Sequence, residues 1–429
     1  MSNIQKNSLQ HNKNLTRLFD TIKTIEDPRR TSQHPFESVM IIIICAMLGG
    51  ANNAVSIEEF GKDHIEWFKK IIDLPLGVPS HDTFTRLINK MHPQELQKLL
   101  EIAQIDRKQG SINEYNQDNI TESEALERHI SVDGKSLRAL SEYKASTLVR
   151  AFFEKTKSIL TQIRVGDKTN EITVIPKILQ ILRSYVLGAI ITIDAIGTQR
   201  KIVKQIVELQ GYYVLPVKGN QHQLHSDLKL FLDDLADGKM PHASHTYHET
   251  IEKNSGRIEK RRCWSTESLK WLRNKKRWKN LTSASIIETT ITKGKQLMVT
   301  RRYYISNLHA HANIILAIVR NHWGIENKLH WPLNVAFHEH ISTTRKGRGA
   351  ENFSILRCFA LSLLQNNKAQ LSINNKRARA ARNTDYLLEL LIGEKIDFSP
   401  PKTYSQVLSG YINYGIDTLI QCIHAMQFS

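Results

Sequence analysis

The stretch GAIITIDAIGTQ, residues 188–199, decides how this chain of 429 residues is read. Ala189 to Ile193, Thr192 excepted, have the composition of a buried strand, and the next residue is Asp194. A carboxylate at the end of an apolar strand is costly to desolvate unless something pairs with it. One answer is local: Asp194 caps the helix that begins in GTQRKIVKQIVELQ. The other is chemical, and it depends on what lies beside the strand.

Upstream, HISVDGKSL (129–137) reads as a strand carrying Asp133, and STLVRAFFEKTKSILTQIRV holds two more β-rich runs. VIPKILQILRS reads as a helix started by Pro176, whose fixed φ suits a first turn. Downstream, GTQRKIVKQIVELQ is a helix and GYYVLPV a strand. The order β-β-β-α-β-α-β indicates a mixed sheet covered by helices, an α/β core. Asp133-Gly134 alone would pass for a hairpin turn. Two neighbouring strands that both end in carboxylates, however, concentrate negative charge at one edge of the sheet. Such a pair is stable when it chelates a divalent cation, and hard oxygen ligands suit Mg²⁺ or Mn²⁺. A two-metal phosphoryl-transfer site takes a further acid, often from a helix. HWGIENKLHW offers Glu326 between Trp323 and Trp331, although periodicity does not select it over Glu339.

The rest of the chain frames this core. Residues 1–14 read as unstructured, and from Leu15 to about Ile105 the pattern is helical. Residues 38–47 are apolar nearly all round, hence a buried helix. Gly77 and Pro79 supply a turn before Ser80, which can cap a helix with the stripe Phe84, Leu87, Ile88 and Met91. With the preceding EEFGKDHIEWFKKII this is either an αα-corner or a helix-turn-helix exposing His81, Thr83, Arg86, Asn89 and Lys90. A polar linker spans 108–127. Residues 222 to about 300 open with a helix and continue in alternating patterns, a β-rich insertion. Helical periodicity returns near Ala312 and runs to the end.

A net charge of +17 and a pI near 9.6 call for a polyanionic partner, either nucleic acid or an anionic membrane. The most apolar segment, VMIIIICAMLGGA, has 13 residues, short of the ~20 that span a bilayer. The N-terminus has no apolar signal core, so the expectation is a cytoplasmic protein without a membrane partner. Four widely spaced cysteines argue against a zinc knuckle or a disulfide framework. His242, His245, His248, His309 and His311 read as surface histidines. Between Lys253 and Lys279, eleven Lys or Arg face two glutamates and are interleaved with Trp264, Trp271 and Trp278. Such a segment can hold phosphates, through Arg257, Arg261, Arg262, Lys275 and Lys276, and stack on an unpaired base, unless it is a solvated basic hairpin. Arg320, Lys328, Arg345, Lys346 and Arg348 flank Glu326 and can clamp a scissile phosphate. Lys218, Asn220 and Gln221 end the last core strand, and Lys135 and Arg138 follow Asp133.

DGKSLR, KTNEITVIPKILQIL, ITIDAIGTQ, YYVLPVKGNQ, GRIEKR, YYISNL, RNHWGIENKLHW and GAENFSILRCFALSLL occur in this order. Together they resemble DDE transposases of the ISAs group of bacterial insertion sequences, also called H-repeat-associated proteins, over about residues 15–370. DPRRTSQHPFESV and GVPSHDTFTRL resemble that family's N-terminal associated domain. The resemblance implies a helical, DNA-binding N-terminal domain (15–107) and an RNase H-like catalytic domain (128–370) with its insertion at about 222–300. A helical C-terminal segment (371–429) would follow. It also implies that Asp133, Asp194 and Glu326, 61 and 132 residues apart, form the acidic triad that binds Mg²⁺ or Mn²⁺. The implied reaction is hydrolysis at the element's ends followed by attack of the freed 3′-hydroxyls on target DNA. Implied partners are the terminal inverted repeats, target DNA and a second copy of the chain on DNA, at the nucleoid of a bacterial cytoplasm. Where the family reads LDV and ED, this chain has Leu333-Asn334-Val335 and Glu339-His340. Pro332 replaces an ordinary apolar residue, and proline inside a helix removes a hydrogen bond at a cost of ~3 kcal/mol. The alternatives are a catalytically decayed or co-opted DNA-binding protein of the same fold, and a metal-dependent nuclease without strand transfer.

Overall fold

The computed structural model describes residues 13–102, 121–137, 146–166, 169–254, 256–342, 344 and 347–393. Arg138, Arg345, Lys346 and the ends of the expected N- and C-terminal segments (103–107 and 394–429) lie outside the described residues.

Among the described residues nine strands build one sheet: β1 (His129–Leu137), β2 (Ser146–Phe153), β3 (Ser158–Arg164), β4 (Ile190–Ile193), β5 (Tyr212–Val217), β6 (Thr246–Asn254), β7 (Arg257–Thr266), β8 (Ser283–Lys293) and β9 (Gln296–Ser306). Their order is β3-β2-β1-β4-β5-β9-β8-β7-β6. β1, β4 and β5 are parallel, and β2 and β3 add antiparallel strands on one side. This is the mixed α/β core expected from the element order, consistent with an RNase H-like fold.

Side chains alternate between the two faces of a strand, and both faces here are covered. Ile130, Val132, Ile191 and Ile193 enter a core shared with helices Glu171–Ile181 and Arg200–Glu208. Ile190 enters a second cluster, with Ile315 and Ile318 of the helix Ala312–His322. The buried polar residues His129, Ser131 and Thr192 share that second face by alternation. Along β1 and β4 one side is thus apolar up to Val132 and Ile193, while the other carries polar groups towards the aspartates.

Several local expectations are revised. Asp133-Gly134 is not a turn: β1 continues to Leu137, with Asp133 opposite Arg150 and Gly134 opposite Val149. Pro176 does not start its helix, which begins at Glu171 after Asn170 and holds the proline in its interior. Ser80 stands at the cap position, but its hydroxyl meets Thr83 Oγ1 at 3.3 Å. The Glu58 carboxylate instead accepts the His81 N–H at 2.6 Å, tying the helix Ala54–Asp63 to the helix His81–Lys90. The helix Lys13–Thr24 begins inside the segment read as unstructured.

The insertion continues the core sheet. After the helix His222–Ala236, β6 to β9 form an antiparallel meander whose last strand pairs with β5, from Val214–Ser306 to Val217–Tyr303. Trp264 and Trp278 are buried in the core beneath that helix, and Trp271 stacks on Phe231 at 4.2 Å. These rings pack the insertion and are not presented to a base. The N-terminal helices, including the buried Phe36–Leu48, share one apolar core with Gly349–Asn366, Ile373–Arg382 and Thr384–Ile392. No helix among the described residues is long and apolar enough to cross a membrane.

Candidate active site

The last registered pair of β1 and β4 is Val132 opposite Ile193, and each is followed by an aspartate. Asp133, within β1, and Asp194, just past the end of β4, therefore stand side by side at one level, on the face covered by the helix Ala312–His322. Asp194 occupies the position before a 3₁₀ turn, Ala195–Gly197, but its side chain makes no capping hydrogen bond. The local explanation for this carboxylate does not apply.

Beyond His322 the chain turns into a five-residue π-helical segment, Glu326–His330, a widened geometry that re-aims side chains and is frequent at functional sites. Glu326 Oε2 lies 2.9 Å from His330 Nδ1, and that nitrogen lies 3.5 Å from Asp133 Oδ2. Glu326 Oε1 is 3.6 Å from Lys135 Nζ. Asp133, Glu326 and His330 each offer a ligand atom within 4.8 Å of the others, the one such group among the described residues. Asp194 is outside this tight group, with Oδ1 3.5 Å from His322 Nε2. All three acids line one cleft of about 350 Å³, together with Lys218, His322 and the exposed Trp323. Glu339 is elsewhere, buried against Arg150 at 2.7 and 2.9 Å. Pro332 follows the π segment without leaving an orphan. The Lys328 carbonyl, which an N–H at position 332 would take in an α-helix, accepts from Gln365 Nε2 at 2.6 Å.

Burial, and then the Asp194 charge, push the Asp133 carboxyl up to about 6. Asp194 is held below the usual carboxylate range, chiefly by its hydrogen bond with His322. Glu326 is lowered by the hydrogen bond from His330. Glu171 is raised by burial and by Asp194; its carboxylate fills the space beside Gly134, where a Cβ would meet it at 2.2 Å. Carboxylates that repel one another, joined by an imidazole, form a donor set that fits a divalent cation.

The basic residues divide. Lys135 and Lys218 are at the cleft. Asn220 donates to the Ala195 carbonyl at 2.7 Å and Gln221 to the Thr198 carbonyl at 2.9 Å, so both brace the loop after Asp194. Arg257 pairs with Glu259 at 2.6 Å, and Arg261 pairs with Glu252 at 3.0 Å and with Glu259. Arg262 pairs with Glu288, Arg320 with Glu252, and Lys328 with Glu154 at 2.6 Å. Lys275 and Lys276 are exposed on a 3₁₀ turn, and Arg348 is exposed beside the Lys90 carbonyl.

Three site residues escape the sequence reading: Glu171, His322 and His330. The histidines carried a signal, because 322, 326 and 330 recur every four residues and so share one side of a helix. Glu171 carried none, since an acid in a first turn ordinarily serves the helix dipole.

With this geometry in view, the likeness to known proteins acquires a structural meaning. The family model described as transposase DDE domain matches residues 124–363, and the one described as DDE_Tnp_1-associated matches residues 19–101. The "H repeat-associated putative transposase YhhI" of Escherichia coli K12 is 31% identical over 394 residues, covering 88% of this chain and 98% of the relative. The "Putative transposase YncI" of Escherichia coli O157:H7 is 30% identical over 387 residues, covering 87% of this chain and 94% of that one. A solved piggyBac transposase synaptic complex with hairpin DNA aligns with 93% of this chain and 84% of its own, at TM-score 0.39 and 11% identity. On the family match and these relatives, the chain belongs to the DDE transposases.

Proposed function

We propose that this protein cuts the ends of an insertion sequence and joins the freed 3′-hydroxyls to target DNA. The observation that carries this reading is the meeting of Asp133, Asp194 and Glu326 in one cleft from distant points of the chain. Two Mg²⁺ or Mn²⁺ ions held by these carboxylates would neutralise charge on the attacking and leaving oxygens. The chain's own contribution is positioning and electrostatics. Asp133, with its carboxyl at about 6, is ionised at neutral pH and faces both other acids. Lys135, beside Glu326, and Lys218, in the lining of the cleft, would hold non-bridging phosphate oxygens. In the first step a water oxygen bonds to phosphorus and the bond to the 3′-oxygen breaks, which frees a 3′-hydroxyl. In the second, that hydroxyl bonds to a target phosphorus and the target's 3′-oxygen leaves with a proton. Two element ends call for two copies of the chain on DNA, at the nucleoid of a bacterial cytoplasm.

A DNA-binding protein without activity is the second reading, favoured by Asn334 and His340 where the resemblance leads one to expect acids. Incubation with labelled element ends, a target plasmid and Mg²⁺ or Mn²⁺ separates the two. Joined products that vanish in Asp194→Asn support the transposase. Cuts alone indicate a nuclease, and a gel shift alone indicates the binder.

A further inference from the structure

A run of buried and half-buried polar groups leads to the cleft from behind. Lys328 Nζ, held by Glu154, donates to Asn321 Oδ1 at 3.4 Å. That cation fixes the amide: its oxygen faces Lys328, which leaves Asn321 Nδ2 to donate to His129 Nδ1 at 3.1 Å. His129 is fully buried, and burial holds its imidazole neutral, well below the ordinary range. A neutral ring that accepts at Nδ1 carries its one proton on Nε2. Nε2–H donates to Thr192 Oγ1 at 2.7 Å, with Ser131 Oγ farther off at 3.4 Å. Thr192 then turns its own hydrogen to His322 Nδ1 at 2.8 Å. The opposite direction fails, because it would set the Asn321 amide N–H against a His129 Nδ1–H. Every step uses a different donor, and the last one ends at His322 Nε2, 3.5 Å from Asp194 Oδ1.

We propose that this relay locks His322 in its Nε2–H tautomer and makes it a positioning residue for Asp194, a hydrogen-bond donor and not a metal ligand. The proposal rests on the reading of Asp194 as a catalytic carboxylate. A protonated Nε2 has no lone pair for a cation, although the ring borders the cleft. What it can do is hold one Asp194 oxygen and so aim the other. The relay joins β1, β4 and the helix Ala312–His322, so it also sets how the glutamate-bearing segment sits over the strand ends. Hydrogen bonds that orient a ligating group typically govern metal affinity or activity by about 10–100-fold.

Thr192→Val keeps the shape of the side chain and removes the hydroxyl, while Thr192→Ser keeps the hydroxyl. In metal-free protein carrying ¹⁵N-labelled histidine, the His322 signal is assigned by its loss in His322→Gln. It should show a protonated Nε2 and a bare Nδ1 at mildly alkaline pH. Thr192→Val should mix the two tautomers and weaken Mn²⁺ binding by about tenfold. It should also lower kcat for end cleavage with KM for DNA unchanged. Thr192→Ser should return all of these to the parent values, and Asn321→Leu, at the far end of the relay, should reproduce the valine variant. A parent His322 protonated at Nδ1 overturns the proposal, as does Mn²⁺ affinity that stays unchanged when the tautomers mix. Tautomer and Mn²⁺ affinity are both read without DNA. A parent that fails to cut DNA would therefore count against the transposase reading and leave the relay to be judged on its own signals.

Discussion

Arg150 donates through one nitrogen to both carboxylate oxygens of Glu339, at 2.7 and 2.9 Å, and both side chains are buried. Arg150 stands opposite Asp133 in the β1–β2 ladder, and Ser354 accepts a further bond from it at 2.8 Å. The pair therefore fastens the strand behind the site to the segment that follows Glu326. Removing one partner strands a buried charge, so Glu339→Gln or Arg150→Met should each cost about 3–5 kcal/mol in denaturant unfolding. The double variant Arg150→Met/Glu339→Leu should lose less than either single variant. A double-variant loss as large as the sum of the two single losses would mean that the stranded charge is not what matters.

The pH dependence of the metal-free protein should follow Asp133. Its folded carboxyl, at about 6, lies above the ordinary value near 3.9, so the folded state binds this proton more tightly than the unfolded chain. Stability should therefore fall as pH rises from about 4 to about 6, and then level off. Asp133→Asn should remove that slope and raise stability at neutral pH, on the order of 3 kcal/mol. Mn²⁺ binding to the parent should strengthen over the same interval, because the cation displaces the proton. Thermal melts across pH, with and without Mn²⁺, read both effects.

DNA affinity should fall steeply with salt, and the exposed lysines should contribute more to that slope than the paired arginines. Lys275→Ala/Lys276→Ala should reduce the slope by up to about 2. Arg262→Ala should change it little and instead lower the melting temperature, since it leaves the buried Glu288 with fewer partners. Filter binding over a salt series decides, and a slope untouched by the lysine pair would make that turn a solvated surface.

Gln365 supplies the donor that Pro332 lacks, so Gln365→Leu should cost about 1–3 kcal/mol by orphaning the Lys328 carbonyl. Pro332→Ala in that background should recover most of the loss, because residue 332 then carries an N–H of its own. A double variant no more stable than Gln365→Leu would show that the π geometry keeps that N–H out of reach.

The α/β character, the strand that ends at Asp194 and the pairing of that aspartate with Asp133 were legible because they rest on local terms. Apolar runs, two-residue alternation and helix-forming stretches act within a few residues of each other. That His129, Ser131 and Thr192 share the aspartate face, and connect there, came from the structure. Periodicity did not choose between Glu326 and Glu339, and the resemblance pointed to Glu326; that Glu339 is buried while Glu326 lines the cleft is a matter of tertiary structure. A carboxylate is buried or offered to a cleft according to its partner, and the partner of Glu339 is Arg150, 189 residues away. The tryptophans of the insertion were settled in the same way, by the helix His222–Ala236 that covers them. Charge and spacing along a chain record which groups are present. Only packing decides which of them are neutralised from a distance and which are left facing the cleft, because desolvation acts through space.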